Sequence, residues 1–182
     1  DLKTGTEKWK WEGEGPSYAS PSIMTIKGKK TLVTITEKSL IALDPANGKV
    51  LWQYAALPAQ RFYNSVSPYI DGTKIYLTGL GTGTKALEVT ESNGQYSVKE
   101  LWNNTEAGAK WNTAVLKDGY LYGFTDQRRI YAINASNGTT AWIDNATNSD
   151  FATLVDCGSV LIGMPSTGNL IVFKADSQAY TE

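Results

Sequence analysis

Short apolar runs, many alternating every second residue and each bounded by Gly, Asn or Asp, follow one another along the whole 182-residue chain. The clearest set is Pro21 to Ile26, Thr31 to Thr36, Leu40 to Leu43 and Lys49 to Tyr54, whose lengths and β-branched content predict four strands, A to D. No segment keeps a helical period. Gly28, Gly72, Gly119 and Gly158 each separate two such runs and predict an A–B hairpin. Asn47-Gly48, Asn93-Gly94 and Asn137-Gly138 separate C from D, and Asn-Gly is a strong hairpin signal because both residues tolerate positive φ.

The runs repeat. Asp1, Gly5 and Trp9 stand at the same spacing as Asp44, Gly48 and Trp52, and Asn134, Gly138 and Trp142 form a third copy. A degraded copy runs from Ala86-Leu87-Glu88 through Gly94 to Trp102 with four extra residues before the Trp, so the Trp intervals are 43, 50 and 40. A repeat of about 44 residues built from four antiparallel strands predicts an all-β fold of propeller blades set around an axis. Residues 12–54, 55–102 and 103–142 are then whole blades. Residues 143–182 supply strands A to C of a further blade, and residues 1–11 supply an outer D strand that can complete it, within one chain or head to tail between two copies.

Composition narrows the function. Lys and Arg number 17 against 18 Asp and Glu, a net charge of −1 that gives no field for nucleic acid. The longest apolar runs, Leu32 to Ile35 and Leu170 to Phe173, fall far short of the roughly 20 residues that span a bilayer. The chain opens at Asp1 without a Met and inside a repeat, which suggests removal of upstream sequence. The single Cys157, in the run Leu154-Val155-Asp156-Cys157, reads as a small buried hydrophobe.

The run Ala42-Leu43-Asp44 through Gly48 to Trp52, with Ser20-Pro21-Ser22 ahead of it, resembles the pyrroloquinoline-quinone-like propeller repeat, and the likeness covers nearly the whole chain. The resemblance implies a ring of seven or eight blades, of which about four are visible, so that the chain is part or half of a larger propeller or dimerises. It also implies an extracytoplasmic place: periplasmic, cell-surface or secreted. The family holds quinoprotein dehydrogenases and cofactor-free propellers, among them the BamB-like lipoprotein of the machine that assembles outer-membrane β-barrels. The enzymes hold their quinone with calcium, an Asp base and often a disulfide between adjacent cysteines, which one Cys cannot form.

The remaining chemistry is sparse. With no His, Ser-His-Asp and Cys-His catalysis and His-containing zinc sites are excluded. Asp and Glu sit mainly in repeat turns or beside Lys, where capping and solvation account for them, so no catalytic, cofactor-binding or metal residue is nominated. Gly79-Leu80-Gly81-Thr82-Gly83-Thr84-Lys85 lacks phosphate-loop spacing and leads into a strand at Ala86 to Val89, which reads as an enlarged B–C loop. The glycosylation-type triplets at Asn103, Asn134, Asn137 and Asn145 read as incidental.

Trp9, Trp52, Trp102 and Trp142 are expected to fill the gaps between blades with their indole N–H groups on neighbouring backbone. A second aromatic series, Tyr18, Tyr63, Trp111 and Phe151, opens strand A of each unit. The D–A and B–C loops share one face, where Arg61, Phe62, Tyr63, Lys110, Trp111, Arg128 and Arg129 would gather, aromatic and Arg side chains being the types enriched at binding hot spots. The expectation is a non-catalytic module that binds a protein or peptide on this face without cofactor. The alternatives are half of a quinone-dependent dehydrogenase, which would bring quinone and calcium, and a structural repeat segment of a surface protein.

Overall fold

The computed structural model describes residues 1–55, 64–79 and 81–182. Its four sheets are antiparallel and successive in the chain. Blade 1 holds β1 (Ser22–Ile26), β2 (Lys29–Ile35), β3 (Leu40–Leu43) and β4 (Val50–Tyr54); blade 2 holds β5 (Tyr69–Asp71), β6 (Lys74–Gly79), β7 (Gly83–Ser92) and β8 (Gln95–Asn104). Blade 3 holds β9 (Val115–Lys117), β10 (Tyr120–Phe124), β11 (Ile130–Asn134) and β12 (Thr140–Ile143), and blade 4 holds β13 (Ala152–Asp156), β14 (Leu161–Pro165) and β15 (Ile171–Phe173). The chain is all-β, four blades of a propeller, and no helix of the described residues is long and apolar enough to cross a membrane.

Alternation along each strand gives every blade a forward face and a rear face. The forward row Val33 and Ala42 of blade 1 packs with Ile75, Leu77 and Leu87 of blade 2. Tyr76 and Ala86 of blade 2 meet Leu121, Tyr131 and Ile133 of blade 3. Tyr122, Phe124 and Ala132 of blade 3 meet Leu161, Ile171 and Phe173 of blade 4. The core is therefore three separate interblade layers. Side chains at the inner edge tie the same neighbours together: the Ser20 amide donates to Ser67 Oγ (2.9 Å) and the Ser67 amide to Thr113 Oγ1 (3.2 Å).

The outer edge is tied by tryptophan. Trp102 donates its indole N–H to the Ala135 carbonyl of the next blade (3.2 Å), Trp142 to Asp176 (2.8 Å) and Trp9 to Pro45 (2.9 Å). Pro45 and Ala135 lie in C–D turns, and Asp176 in the segment that follows β15. A Cβ on Gly138 would lie 2.5 Å from the Trp102 ring and one on Gly48 2.5 Å from Trp9, and both glycines hold positive φ (76° and 73°). Glycine is needed there twice over, for the turn and for the ring.

These C–D turns differ from the expected two-residue hairpins. In blade 1 the Asp44 amide donates to Lys49 O and the Gly48 amide to Asp44 O (both 2.8 Å), with Asp44 Oδ1 accepting from the Ala46 amide. Only Gly48 of the Asn47-Gly48 pair is left-handed. Blade 2 alone closes on two residues, Asn93 and Gly94 (φ 52° and 81°), because its four extra residues extend the ladder to Ser92 opposite Gln95. That tight end replaces the loop whose carbonyl would receive Trp52, and the buried Trp52 Nε1 has no hydrogen-bond partner among the described residues.

Two further expectations change. Residues 1–11 form no strand, and the last blade is a three-stranded sheet. Trp9 instead fastens that segment to blade 1 through its side chain. Cys157 is exposed, because it falls in the β13–β14 turn, where its amide donates to Val160 O, and not within the apolar strand before it.

Burial also acts on tyrosine. Burial first, then a hydrogen bond to Glu100 (2.7 Å), pushes Tyr54 up to about 12. Burial chiefly pushes Tyr122 and Tyr131 to about 12 as well. Since an unfolded tyrosine ionises near 10, the stability tied to these neutral phenols is complete below about pH 10 and lost as pH rises towards 12. Far-UV circular dichroism and absorbance at 295 nm should therefore change together in that window; all ten tyrosines titrating near 10 with the fold intact would contradict the assignment. For the tryptophans, Trp142→Phe gives up a made hydrogen bond whereas Trp52→Phe removes an unmade one. In urea denaturation the first should cost about 1–2 kcal/mol more than the second.

Candidate functional site

The face carrying the D–A and B–C loops is organised by backbone bonds. In blades 1, 3 and 4 the B–C loop is held by the D–A linker beside it: the Glu37 amide donates to Gly15 O (3.0 Å), Asp126 to Gly108 O (2.8 Å) and Ser166 to Phe151 O (2.8 Å). The following linker holds the loop from the other side, through Asn64 Nδ2 to Thr36 O (2.9 Å) and the Asn148 amide to Arg128 O (2.8 Å). This collar fixes loop positions that would otherwise be soft.

Within it, blades 3 and 4 bring four side chains together and set the loop of Arg128 beside them. The Trp111 and Phe151 rings stack at 5.0 Å with an 11° interplanar angle, and Phe151 is exposed. Lys110 Nζ lies 5.3 Å from the Trp111 ring centre and 3.7 Å from Asp150 Oδ2, so one cation serves a ring and a carboxylate. Arg128 is exposed in the β10–β11 loop at φ 67°, two residues from the Asp126 amide that bonds Gly108, and its own carbonyl takes the Asn148 amide. The loop carrying Arg128 is thus flanked by the segments that carry Lys110 and Asp150. The patch presents an exposed ring face, a cation and a carboxylate: groups that can stack on, and pair with, a ligand.

Other expected members stand elsewhere. Arg129 directs its guanidinium to its own blade, through Nε to Asp144 O (2.5 Å) and an Nη to Asn145 Oδ1 (2.7 Å), and so braces the end of β12. Arg61, Phe62 and Tyr63 lie outside the described residues. Strand register sets Ser65, not Tyr63, level with Tyr18, Trp111 and Phe151. Ser65 Oγ donates to Lys110 O (2.7 Å). Asp150 was not foreseen, although it holds in blade 4 the repeat position that Lys110 holds in blade 3.

The glycine run makes a tight turn instead of an enlarged loop. Gly79 pairs with Gly83 across it, β7 begins at Gly83, and a Cβ on Gly83 would fall 2.1 Å from Asn104 O. Carboxylates act as braces. Glu14 accepts from Thr36 Oγ1, from Ser39 Oγ (3.1 Å) and from Gln53 Nε2 (2.7 Å), pinning its linker to blade 1. Glu100 takes Tyr54 Oη and Lys85 Nζ (3.4 Å), and the Tyr54 hydrogen bond, with Lys85 beside it, holds its carboxyl below the usual range. Among the described residues no three His, Cys, Asp or Glu side chains group to hold a metal ion.

The fold has known counterparts. BamB from Moraxella catarrhalis superposes with a TM-score of 0.72 at 20% identity, over 99% of this chain and 55% of its own. This chain thus spans about half the length of that protein. The computationally designed Ika4 protein matches with a TM-score of 0.66 at 11% identity, over 94% of this chain and 99% of its own. A quinohemoprotein alcohol dehydrogenase from Pseudomonas putida HK5 matches with a TM-score of 0.52 at 17% identity, over 74% of this chain and 22% of its own. A search of curated proteins finds no match. The sequence profile described as outer membrane protein assembly factor BamB matches residues 1–144. With its repeats, its blades and that match over most of its length, the chain belongs to the BamB family of pyrroloquinoline-quinone-like repeat propellers.

Proposed function

We propose that this chain is a non-catalytic propeller module of an extracytoplasmic protein, and that it binds a protein or peptide segment on the loop face of blades 3 and 4. The observation that carries the reading is the Trp111–Phe151 stack, its Phe151 ring exposed, with Lys110 and Asp150 beside it. A stacked aromatic pair offers a large rigid apolar surface at little entropic cost, and flanking charges of both signs suit peptide backbone and side chains better than a uniformly charged ligand. The collar of hydrogen bonds supports it by holding the patch in one arrangement before a partner arrives. BamB is by its description an assembly factor for outer-membrane proteins, which agrees with a protein partner and a place outside the cytoplasm.

The test uses a displayed library of random dodecapeptides selected on the immobilised chain. Phe151→Ala and Arg128→Ala alter exposed side chains. Each should weaken the selected peptides at least about tenfold, the loss of a hot-spot contact, while the chain stays folded, with the melting temperature unchanged for Arg128→Ala and only slightly lowered for Phe151→Ala, which loses the stack on Trp111. Selected peptides that bind both variants as tightly as the parent would refute the site.

A further inference from the structure

The outer strands of blades 1, 2 and 3 share one irregularity. In each, the residue just before the tryptophan is an extra one, since Leu51, Leu101 and Ala141 have no partner on the strand beside them. Such a bulge twists an edge strand and breaks the row of backbone groups with which another chain could pair. In blades 1 and 3 the strand holds a single residue ahead of the bulge, Val50 or Thr140, and there the C–D turn closes. In blade 2 the whole of 95–100 lies ahead of it, in a strand of ten residues. Among the described residues this is the one long outer edge that no bulge interrupts.

The ladder fixes which groups that edge presents. Ser92 and Gln95 close the two-residue turn and exchange hydrogen bonds, so by alternation Ser97 and Lys99 also bond to β7, while Tyr96, Val98 and Glu100 turn their N–H and C=O groups away from it. The Val89 amide, opposite Val98, obeys the same alternation and donates away from β8, to Thr73 O (2.9 Å). The extension is also held in place. Tyr96 and Val98 pack on the core between blades 1 and 2, Lys27 Nζ of the blade 1 A–B hairpin reaches Glu91 Oε2 (3.1 Å), and Glu91 Oε1 takes the Gly94 amide (2.5 Å). Gln95, Ser97 and Lys99 form the opposite, exposed row, and Lys99 has no ion-pair partner among the described residues.

We propose that the edge of β8 over residues 96–100 is a strand-addition site, which takes an extended segment of a protein partner as a further antiparallel strand of blade 2. Blades 1 and 3 pack on the two faces of this sheet, and its outer edge is the side left for a partner. Recognition comes first from the backbone, because alternating outward donors and acceptors are matched only by an extended chain. Side chains then set the sequence of the segment. It lays apolar residues beside Tyr96 and Val98 and polar ones beside Ser97 and Lys99, with a carboxylate next to the lysine, since opposite charges on neighbouring strands attract. The site is on the outer rim and does not rest on the Trp111–Phe151 patch.

The probe is a fluorescein-labelled peptide, Thr-Val-Asp-Val-Thr-Val-Thr, titrated into the 182-residue chain and followed by anisotropy. Methylation of its valine nitrogens, which removes the donors that would meet β8, should weaken binding at least about tenfold. Val98→Pro removes an outward N–H without breaking a bond to β7 and should have an effect of similar size. Lys99→Glu changes an exposed side chain and keeps the fold; it should weaken this peptide about two- to fivefold and favour, by a similar factor, a peptide with Lys in place of its Asp. Phe151→Ala should leave every one of these affinities unchanged. The proposal is overturned if the parent chain shows no saturable binding up to about 1 mM, the limit of a weak specific contact. It is overturned equally by a methylated peptide that binds as well as the plain one, by an unaltered charge preference in Lys99→Glu, or by binding that Phe151→Ala abolishes, which would place the peptide on the loop face.

Discussion

Everything at the outer rim depends on one contact, the seating of a tryptophan from one blade on the C–D turn of the next. The ring needs a glycine under it, the indole N–H needs a carbonyl, and the glycine needs a left-handed φ to close the turn. Asp, Gly and Trp in one copy of the repeat therefore face in opposite directions: Asp44 and Gly48 build the seat for Trp9, while Trp52 reaches forward to blade 2. The motif is read along the chain, but its chemistry is completed between neighbouring copies. Blade 2 shows the consequence, since lengthening its last two strands removes the seat and leaves the indole of Trp52 buried without its bond. The rest of that interface, Val33 and Ala42 against Ile75 and Leu87, absorbs the loss.

The inner rim follows a different rule. There the blades are joined by small hydroxyl side chains and backbone, Ser20 to Ser67 to Thr113. Aromatic residues two positions earlier are pushed up and out onto the loop face, which is how Phe151 comes to be exposed while stacked on Trp111. The candidate site is thus a by-product of blade geometry: residues just before each strand A are delivered to one rim. What differs between blades at those positions, Ser17, Asn64, Lys110 and Asp150, decides what each sector of the face can bind.

The strands, their order and the A–B hairpins at Gly28, Gly72, Gly119 and Gly158 were legible in the sequence because alternation and turn residues are local signals. Features that depend on a neighbour were not. Arg128 and Arg129 are adjacent and alike, yet one is exposed and the other bound to Asp144 and Asn145, a difference set by which way the loop turns. Tyr63 looked like the counterpart of Trp111 because both precede a strand, but register differs by two residues and puts Ser65 there. Cys157 continued an apolar run on paper and falls beyond its end in space.

Alternation specifies which residues share a face, and leaves open whether anything lies on that face. Val33 and Ile162 occupy the same repeat position with the same chemistry, and only the presence of blade 2 makes the first fully buried. Stability in such an array is close to a sum of blade terms and neighbour terms. Burying one large aliphatic side chain is worth about 1.5–3 kcal/mol. Four such residues left half-exposed on blade 4 therefore represent several kcal/mol, by that measure, which the isolated chain does not realise. Repeat chains commonly give their terminal units a polar outer face. On blade 4, Met164, Leu170 and Val172 keep the apolar composition that the corresponding rows of blades 1 and 3 bury against their neighbours.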